Sequence, residues 1–402
     1  MNRYEQRRRR VLDQLQFGEM MVLYSGESVA CSMDEGFDFE ANHHFFYLTG
    51  LRRENMALVL ANTHCPAHVI LFIEEPIPDM ERWTGRRVTI DEARAVSGID
   101  DVRYIDSVDS LISRCIARET VEAAYFDCYR NAMGDVDSYN MHKAKRFMQA
   151  YPAITLKDAH PMIAAMRMVK DEDEVKTLER AITVTDQGLR RVLATLEPGR
   201  MEYQQQAEFE YEIRMQGAER VSFPTIAGSG MNGCMLHYGT NQCKLEDGKL
   251  LLLDLGARVD GYCADITRTY PINGKYTPRQ KQIYDIVLRA NREVAKAARP
   301  GVTLRELNDL CKKVLAEGLT AIGKIQSADE IGRYYMHGVS HHLGIDVHDV
   351  TAAGSEKLQP GAIITDEPGL YIDEWEIGIR IEDDLLITED GCVVLSEAVI
   401  RD

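Results

Sequence analysis

No apolar run in this 402-residue chain approaches the roughly 20 consecutive residues that a membrane-spanning helix needs, so no such helix is expected. The basic quartet Arg7, Arg8, Arg9 and Arg10 is not followed by an apolar stretch and cleavage site, so a secretory signal peptide is not expected either. The nine cysteines form no CxxC pair and no regular framework. Cys31, Cys65, Cys115 and Cys128 lie in the first third, with Cys311 and Cys392 far downstream. Such scattered thiols fit reduced, mostly buried side chains and a cytoplasmic setting. A Gly-rich phosphate loop is also missing. Positive charge is in short supply, with 47 Lys and Arg against 64 Asp and Glu and a formal net charge of −17. A surface that negative repels phosphate backbones and argues against a nucleic-acid partner. Carboxylates that bind metal would account for part of the excess, because a bound cation offsets them.

The remaining composition, 45% hydrophobic and 28% charged, is that of a globular chain long enough for two domains. The basic quartet reads as the wet face of a first helix whose apolar side is Tyr4, Val11, Leu12 and Leu15. Up to about residue 155, apolar runs at 45–48, 56–60, 68–73 and 123–126 read as strands. Helical periodicity marks 91–96 and 138–150, and the whole is an α/β layout with no complete chemistry of its own. His43 and His44 precede the aromatic run; they are either polar residues at a strand start or groups reaching a neighbouring site.

The character changes around 156–170. A helix over 170–196 stops at Pro198-Gly199, and a second helix over 203–216 follows. About a hundred residues later the pattern returns: a helix over 278–298, the stop Pro300-Gly301, and a helix over 304–318. Strands come next in both halves. This repetition predicts a duplicated domain with a pseudo-two-fold axis and one site where strands of the two copies meet.

Candidate chemistry begins at Asp254 and Asp265, which flank the hairpin signal Asp260-Gly261. With those two residues as the turn, Val259 pairs with Tyr262 and Gly256 lies opposite Asp265. Asp254 then shares a face with Asp265 as its diagonal neighbour, roughly 7–8 Å away at the backbone. Two such carboxylates repel unless a cation holds them; in another register one of them faces solvent. Downstream, His337, His341, His342 and His348 fall within a dozen residues, a density seldom only structural. Glu367 closes an apolar strand, and alternation puts Arg380 and Glu382 on one face of the next. Taken singly, either glutamate reads as surface charge.

The order Asp254, Asp265, His341, Glu367, Glu382 resembles the ligand set of the pita-bread metallopeptidases of family M24. The strings GMNGCMLHY (230–238), ADITRT (264–269), GVSHHLGIDVHD (338–349), EPGLYI (367–372) and GIRIEDD (378–384) look most like the aminopeptidase P branch. FFYLTG (45–50) is similar to that branch's first domain. The resemblance implies a creatinase-like α/β domain over 1–160 and a pita-bread catalytic domain over 161–402. It also implies two divalent ions, with Mn²⁺ favoured by the oxygen-rich donors and Co²⁺ or Zn²⁺ admitted. In that reading Asp265 and Glu382 bridge the ions, Asp254 chelates one, and His341 with Glu367 completes the other. Glu367 is general base, His237 and His348 are the catalytic histidine pair, His337 walls the pocket, and Arg380 steadies the carboxylates. Selectivity for proline, a tertiary amide without N–H, calls for an apolar slot that Val347 and the histidines could form. The implied activity is removal of the residue preceding proline from short peptides, by a homodimer or larger assembly. A dipeptidase of the prolidase type and a metal-free binding module are the rival readings. The chain departs from relatives at Asp366, at His342, at His44, and over 350–358, where a common arginine is missing.

Overall fold

The computed structural model describes residues 2–64, 68–118 and 121–401, so Cys65 lies outside the described residues. The chain divides into two compact units, Met1–Met166 and Arg167–Asp402.

The first unit is built on a six-stranded mixed sheet, in the order Val102–Tyr104, Val69–Ile73, Ala57–Asn62, Glu19–Tyr24, Ala123–Phe126, Thr155–Asp158. The last three strands of that order run parallel, and the central pair is antiparallel. Two expectations fail here. The aromatic run at 45–48 is part of the helix His43–Thr49, not a strand. Asn42 caps it by accepting the Phe45 N–H, Gly50 ends it at φ 73°, and burial on nearly every side removes the amphipathic period that would have marked it as helical. The basic quartet is also not uniformly wet. Arg7 and Arg8, on the helix Arg3–Leu12, are buried. Arg7 donates to the Tyr47 carbonyl, while Arg8 donates to the carbonyls of Leu48 and Ser97. Those carbonyls belong to the last turns of two helices and have no intrahelical donor, so the guanidinium groups serve as C-caps.

In the second unit the expected duplication is present. Glu172–Thr195 packs on Glu202–Met215, and Pro278–Ala297 packs on Leu304–Ala321. Three of the four helices begin with a capping box, at Asp171, Thr277 and Thr303. Each pair covers strands of its own half and closes its own apolar core. One core gathers Leu189, Val192, Phe209, Leu251, Leu253 and Leu255; the other gathers Ile283, Val287, Leu315 and Ile379.

The predicted hairpin is observed. Val259 pairs with Tyr262, and Asp260 and Gly261 turn the chain with φ of 47° and 84°, both values a two-residue turn of this hand requires. The same register runs on to Leu255 opposite Ile266 and Asp254 opposite Thr267. At Gly256, between these two stretches, an added Cβ would stand 1.8 Å from the Ala264 carbonyl oxygen. Backbone approaches backbone there, so no rotamer change relieves the clash. Gly256→Ala is expected to lower unfolding free energy by about 2–3 kcal/mol and to displace Asp265; denaturant melts compared with Gly134→Ala, where nothing lies within 4 Å, check this.

Candidate metal centre

The ten residues to which the resemblance gives a role line one cavity of about 720 Å³: Asp254, Asp265, His237, His337, His341, Val347, His348, Glu367, Arg380 and Glu382. The first half of the second unit supplies Asp254 from the strand Leu250–Leu255, and Asp265 from just before Ile266–Pro271. Glu367 follows Ile363–Asp366, and Arg380 ends Ile377–Arg380. Glu382 joins the halves directly: its N–H donates to the Thr267 carbonyl at 3.0 Å, and the Thr267 hydroxyl donates to its carboxylate at 2.6 Å.

The carboxylates are crowded and dry. Burial, followed by repulsion from Asp254 and Asp384, pushes Asp265 well above the ordinary carboxylate range. Burial and then Asp265 and Glu367 do the same to Glu382. Glu367 is also raised, chiefly by burial, against the opposing pull of His341 and Arg380. Among the described residues, Arg380 is the only guanidinium lining the cavity. It donates to Asp254 Oδ2 at 2.5 Å, the Tyr371 hydroxyl at 2.9 Å and Thr267 Oγ1 at 3.1 Å, so it is a brace of the carboxylate shell.

The donors fit a pair of divalent ions. One ligand atom from each of Asp265, His341 and Glu382 lies within 4.8 Å of the others. His341 Nε2 stands 3.4 Å from Asp265 and 3.5 Å from Glu367. Asp254 Oδ1 is buried and has no hydrogen-bond partner, a costly state that a cation would relieve. Four carboxylates and one imidazole suit hard or borderline divalent ions.

The histidines are held in defined ways. His341 Nδ1 lies 3.0 Å from the His342 carbonyl, which leaves Nε2 facing the carboxylates. The rings of His341 and His348 are 4.2 Å apart, and burial with the neighbouring His341 and His237 holds His348 below the usual imidazole value. His337 bonds the Tyr371 hydroxyl through Nε2 at 2.8 Å and is pushed down to about 4, first by burial and then by Arg380. The same cavity is also lined by the apolar side chains Phe223, Pro224, Ile226, Leu236 and Val347.

Sequence reasoning passed over Tyr371, Thr267 and Thr365. Each could have been found by alternation: Thr267 shares a face with Asp265, Thr365 with Glu367, and Tyr371 lies inside the quoted EPGLYI string. Asp366 points away from the cavity, as alternation requires. It is fully buried beside Asn291, which donates to it and to Asp383; Asp383 in turn takes bonds from Arg268 and Arg401.

His342 does not face the cavity. It is buried, its Nδ1 has no hydrogen-bond partner, and burial followed by Lys170 pushes it down to about 4. An imidazole lowered on folding leaves stability intact above its unfolded value of about 6.5 and loses it as pH falls towards the folded value. His342→Phe is therefore expected to remove an acid-labile contribution of up to about 3 kcal/mol by pH 4. Urea melts of both proteins at pH 7 and pH 4.5 read the difference; equal pH slopes would contradict it.

The model of metallopeptidase family M24 matches residues 176–389, and that of the aminopeptidase P N-terminal domain matches 4–124. The chain is 34% identical to an Xaa-Pro aminopeptidase of Escherichia coli over 99% of its length and 95% of that protein. It is 32% identical to the Xaa-Pro aminopeptidase of Haemophilus influenzae, with the same coverage. A Bacillus anthracis aminopeptidase P structure superposes with a TM-score of 0.97 at 39% identity, covering 100% of this chain and 96% of that one. Escherichia coli aminopeptidase P with the inhibitor Pro-Leu gives 0.90 at 32% identity, covering 100% and 95%. With both domain models matched in order and full-length relatives above 30% identity, the chain belongs to metallopeptidase family M24, with an aminopeptidase P N-terminal domain ahead of a pita-bread catalytic domain.

Proposed function

We propose that this protein is a two-metal aminopeptidase that releases the first residue from peptides with proline in second position. The single observation that carries the reading is the cavity itself, whose lining joins four carboxylates and one imidazole to the apolar side chains Phe223, Ile226, Leu236 and Val347. Asp254, Asp265, His341, Glu367 and Glu382 would hold the ions. Mn²⁺ is the ion we favour, on the hardness of the donor set. When bound, such a pair lowers the pKa of a water and polarises a carbonyl.

The protein's own part is positioning and proton transfer. The proline ring lies against those apolar side chains, which exclude water from the scissile bond. Glu367, raised by burial, accepts the proton of the attacking water and returns it to the prolyl nitrogen as the C–N bond breaks. That return is needed because a tertiary amide leaves as an amine only when protonated. His237 and His348 donate to the carbonyl oxygen as it gains negative charge. His337, fixed by Tyr371, closes the pocket floor.

The intact donor set disfavours a metal-free binding module, and relatives named Xaa-Pro aminopeptidase along the whole chain disfavour a prolidase. A cytoplasmic location and a homodimer or larger assembly are our reading of the scattered thiols and the family resemblance. Incubating Mn²⁺-loaded protein with Xaa-Pro-Xaa, Xaa-Pro and Xaa-Ala-Xaa tests the specificity. Release of the first residue from the first substrate is expected to exceed that from the third by at least ~100-fold. Preference for the dipeptide would favour prolidase, and no release from any substrate would sink both readings.

A further inference from the structure

A second cluster of metal-ligating side chains lies within the first unit, outside everything the catalytic reading uses. His44, Asp127 and His160 are all buried, 3%, 7% and 8% exposed, and one potential ligand atom from each falls within 4.8 Å of the other two. The fold explains why they meet. Ala123–Phe126 and Thr155–Asp158 are neighbouring parallel strands with Phe126 opposite Asp158, so Asp127 and His160 emerge side by side at their carboxyl ends. Ligands of α/β sheets are bound at that end of the strands. His44 comes from the first turn of the helix His43–Thr49. Asp158 ties the two strand ends together by accepting the N–H groups of Cys128 and His160, both at 3.0 Å.

We infer that His44, Asp127 and His160 form a mononuclear divalent-metal site, suited to Zn²⁺, in the first unit. His44 Nε2 and His160 Nδ1 face each other at 3.0 Å. Two ligands bound at about 2.1 Å to one tetrahedral ion lie roughly 3.4 Å apart, so small rotations turn this contact into coordination. The surrounding residues orient the donors as metal sites require. Asn42 spends its carbonyl oxygen on the Phe45 N–H, which obliges its amide to donate; it does so to Asp127 Oδ2 at 2.6 Å. The Tyr129 N–H reaches Asp127 Oδ1 at 3.3 Å, and the Tyr129 ring stacks on His160 with centroids 4.1 Å apart. Burial pushes Asp127 upward, a penalty that a cation removes. Two imidazoles and one carboxylate are a borderline set that leaves a fourth position for water. To bind, both facing nitrogens must offer a lone pair, the hydrogen-bond donor moving its N–H to its other ring nitrogen; protonation of either imidazole competes with the ion, so affinity falls as pH is lowered.

The catalytic ions must be counted separately, so the test uses full-length protein carrying Asp265→Asn and Glu382→Gln. Dialysed against Zn²⁺ buffered at micromolar free concentration, it is expected to retain one Zn²⁺ per chain, with two imidazoles per zinc by X-ray absorption. Adding His160→Gln is expected to weaken that binding at least 100-fold. Unaltered protein under the same conditions should hold three zinc ions per chain, and His160→Gln alone should hold two. If His160→Gln does not fold, the imidazole count in the parent decides. No retained zinc, one imidazole or none per zinc, or retention unchanged by His160→Gln would each overturn the site.

Discussion

Glu382→Gln is expected to abolish peptidase activity, by about 10³-fold or more, while making the metal-free protein more stable. The two effects have one origin. Glu382 is 2% exposed and sits among Asp265, Glu367 and Asp254, whose charges together with burial hold it well above the ordinary carboxylate range. A carboxylate raised on folding favours the native state below its unfolded pKa and loses that contribution as pH rises through the folded value. Metal-free protein is therefore expected to become less stable as pH rises from about 4.5 towards neutrality, and Glu382→Gln to flatten that decline. The amide keeps the Thr267 hydrogen bond through its carbonyl oxygen, so packing is preserved. At pH 7.5 a gain on the order of 1 kcal/mol is expected without metal. With Mn²⁺ the order reverses, because the native protein gains from ligation what the variant has lost. Thermal melts of both proteins, with chelator and with Mn²⁺, give four numbers. Loss of stability in the variant without metal would show that Glu382 is a structural residue and not a strained ligand.

Asp349→Asn is expected to have the largest purely structural effect, about 3–5 kcal/mol. Asp349 follows His348 and is fully buried, bonded by Arg167 at 2.6 Å and Lys170 at 2.9 Å. Burial alone would raise this carboxyl, but Lys170 and Arg167 outweigh it and hold Asp349 below its usual value. Its stabilising contribution is thus present above the unfolded carboxylate pKa and is lost in acid. Asp346, at 2.6 Å, gives Arg167 a second partner, whereas Lys170 has only Asp349 among the ion pairs of the described residues. Removing the charge strands the Lys170 ammonium in a dry site. Adding Lys170→Met to the variant should recover at least ~1 kcal/mol, a non-additivity that denaturant melts resolve. The Asp349 N–H also closes the histidine loop onto the His342 carbonyl at 2.8 Å, so kcat is expected to fall with stability. A loss below about 1 kcal/mol, or additive effects, would mean that solvent reaches this cluster.

Residue spacing carried most of the second unit. Turn chemistry at Asp260-Gly261 fixes the register, and a period of two then places Asp254 and Asp265 on one face whatever surrounds them. Helix periodicity and Pro-Gly stops recovered both helix pairs, because each pair buries one face and leaves the other wet. The first unit was less legible for the opposite reason. The helix His43–Thr49 is buried nearly all round, so its composition does not distinguish it from a core strand, and only the Asn42 and Gly50 caps betray it. Arg7 and Arg8 read as surface because a run of arginines usually is; their burial depends on helix ends contributed by Leu48 and Ser97, distant in sequence.

By itself the sequence determined the duplicated architecture and the face shared by two aspartates, and motif order singled out the five donors we propose, all of which follow from local period, turn type or motif order. Tertiary structure alone decided the electrostatic state of those donors: the dry crowding that raises Asp265 and Glu382, and the bracing of Asp254 by Arg380. It alone brought His44, Asp127 and His160 together from three separate segments. Charge state and long-range juxtaposition depend on what surrounds a residue in space, and spacing along the chain does not encode that.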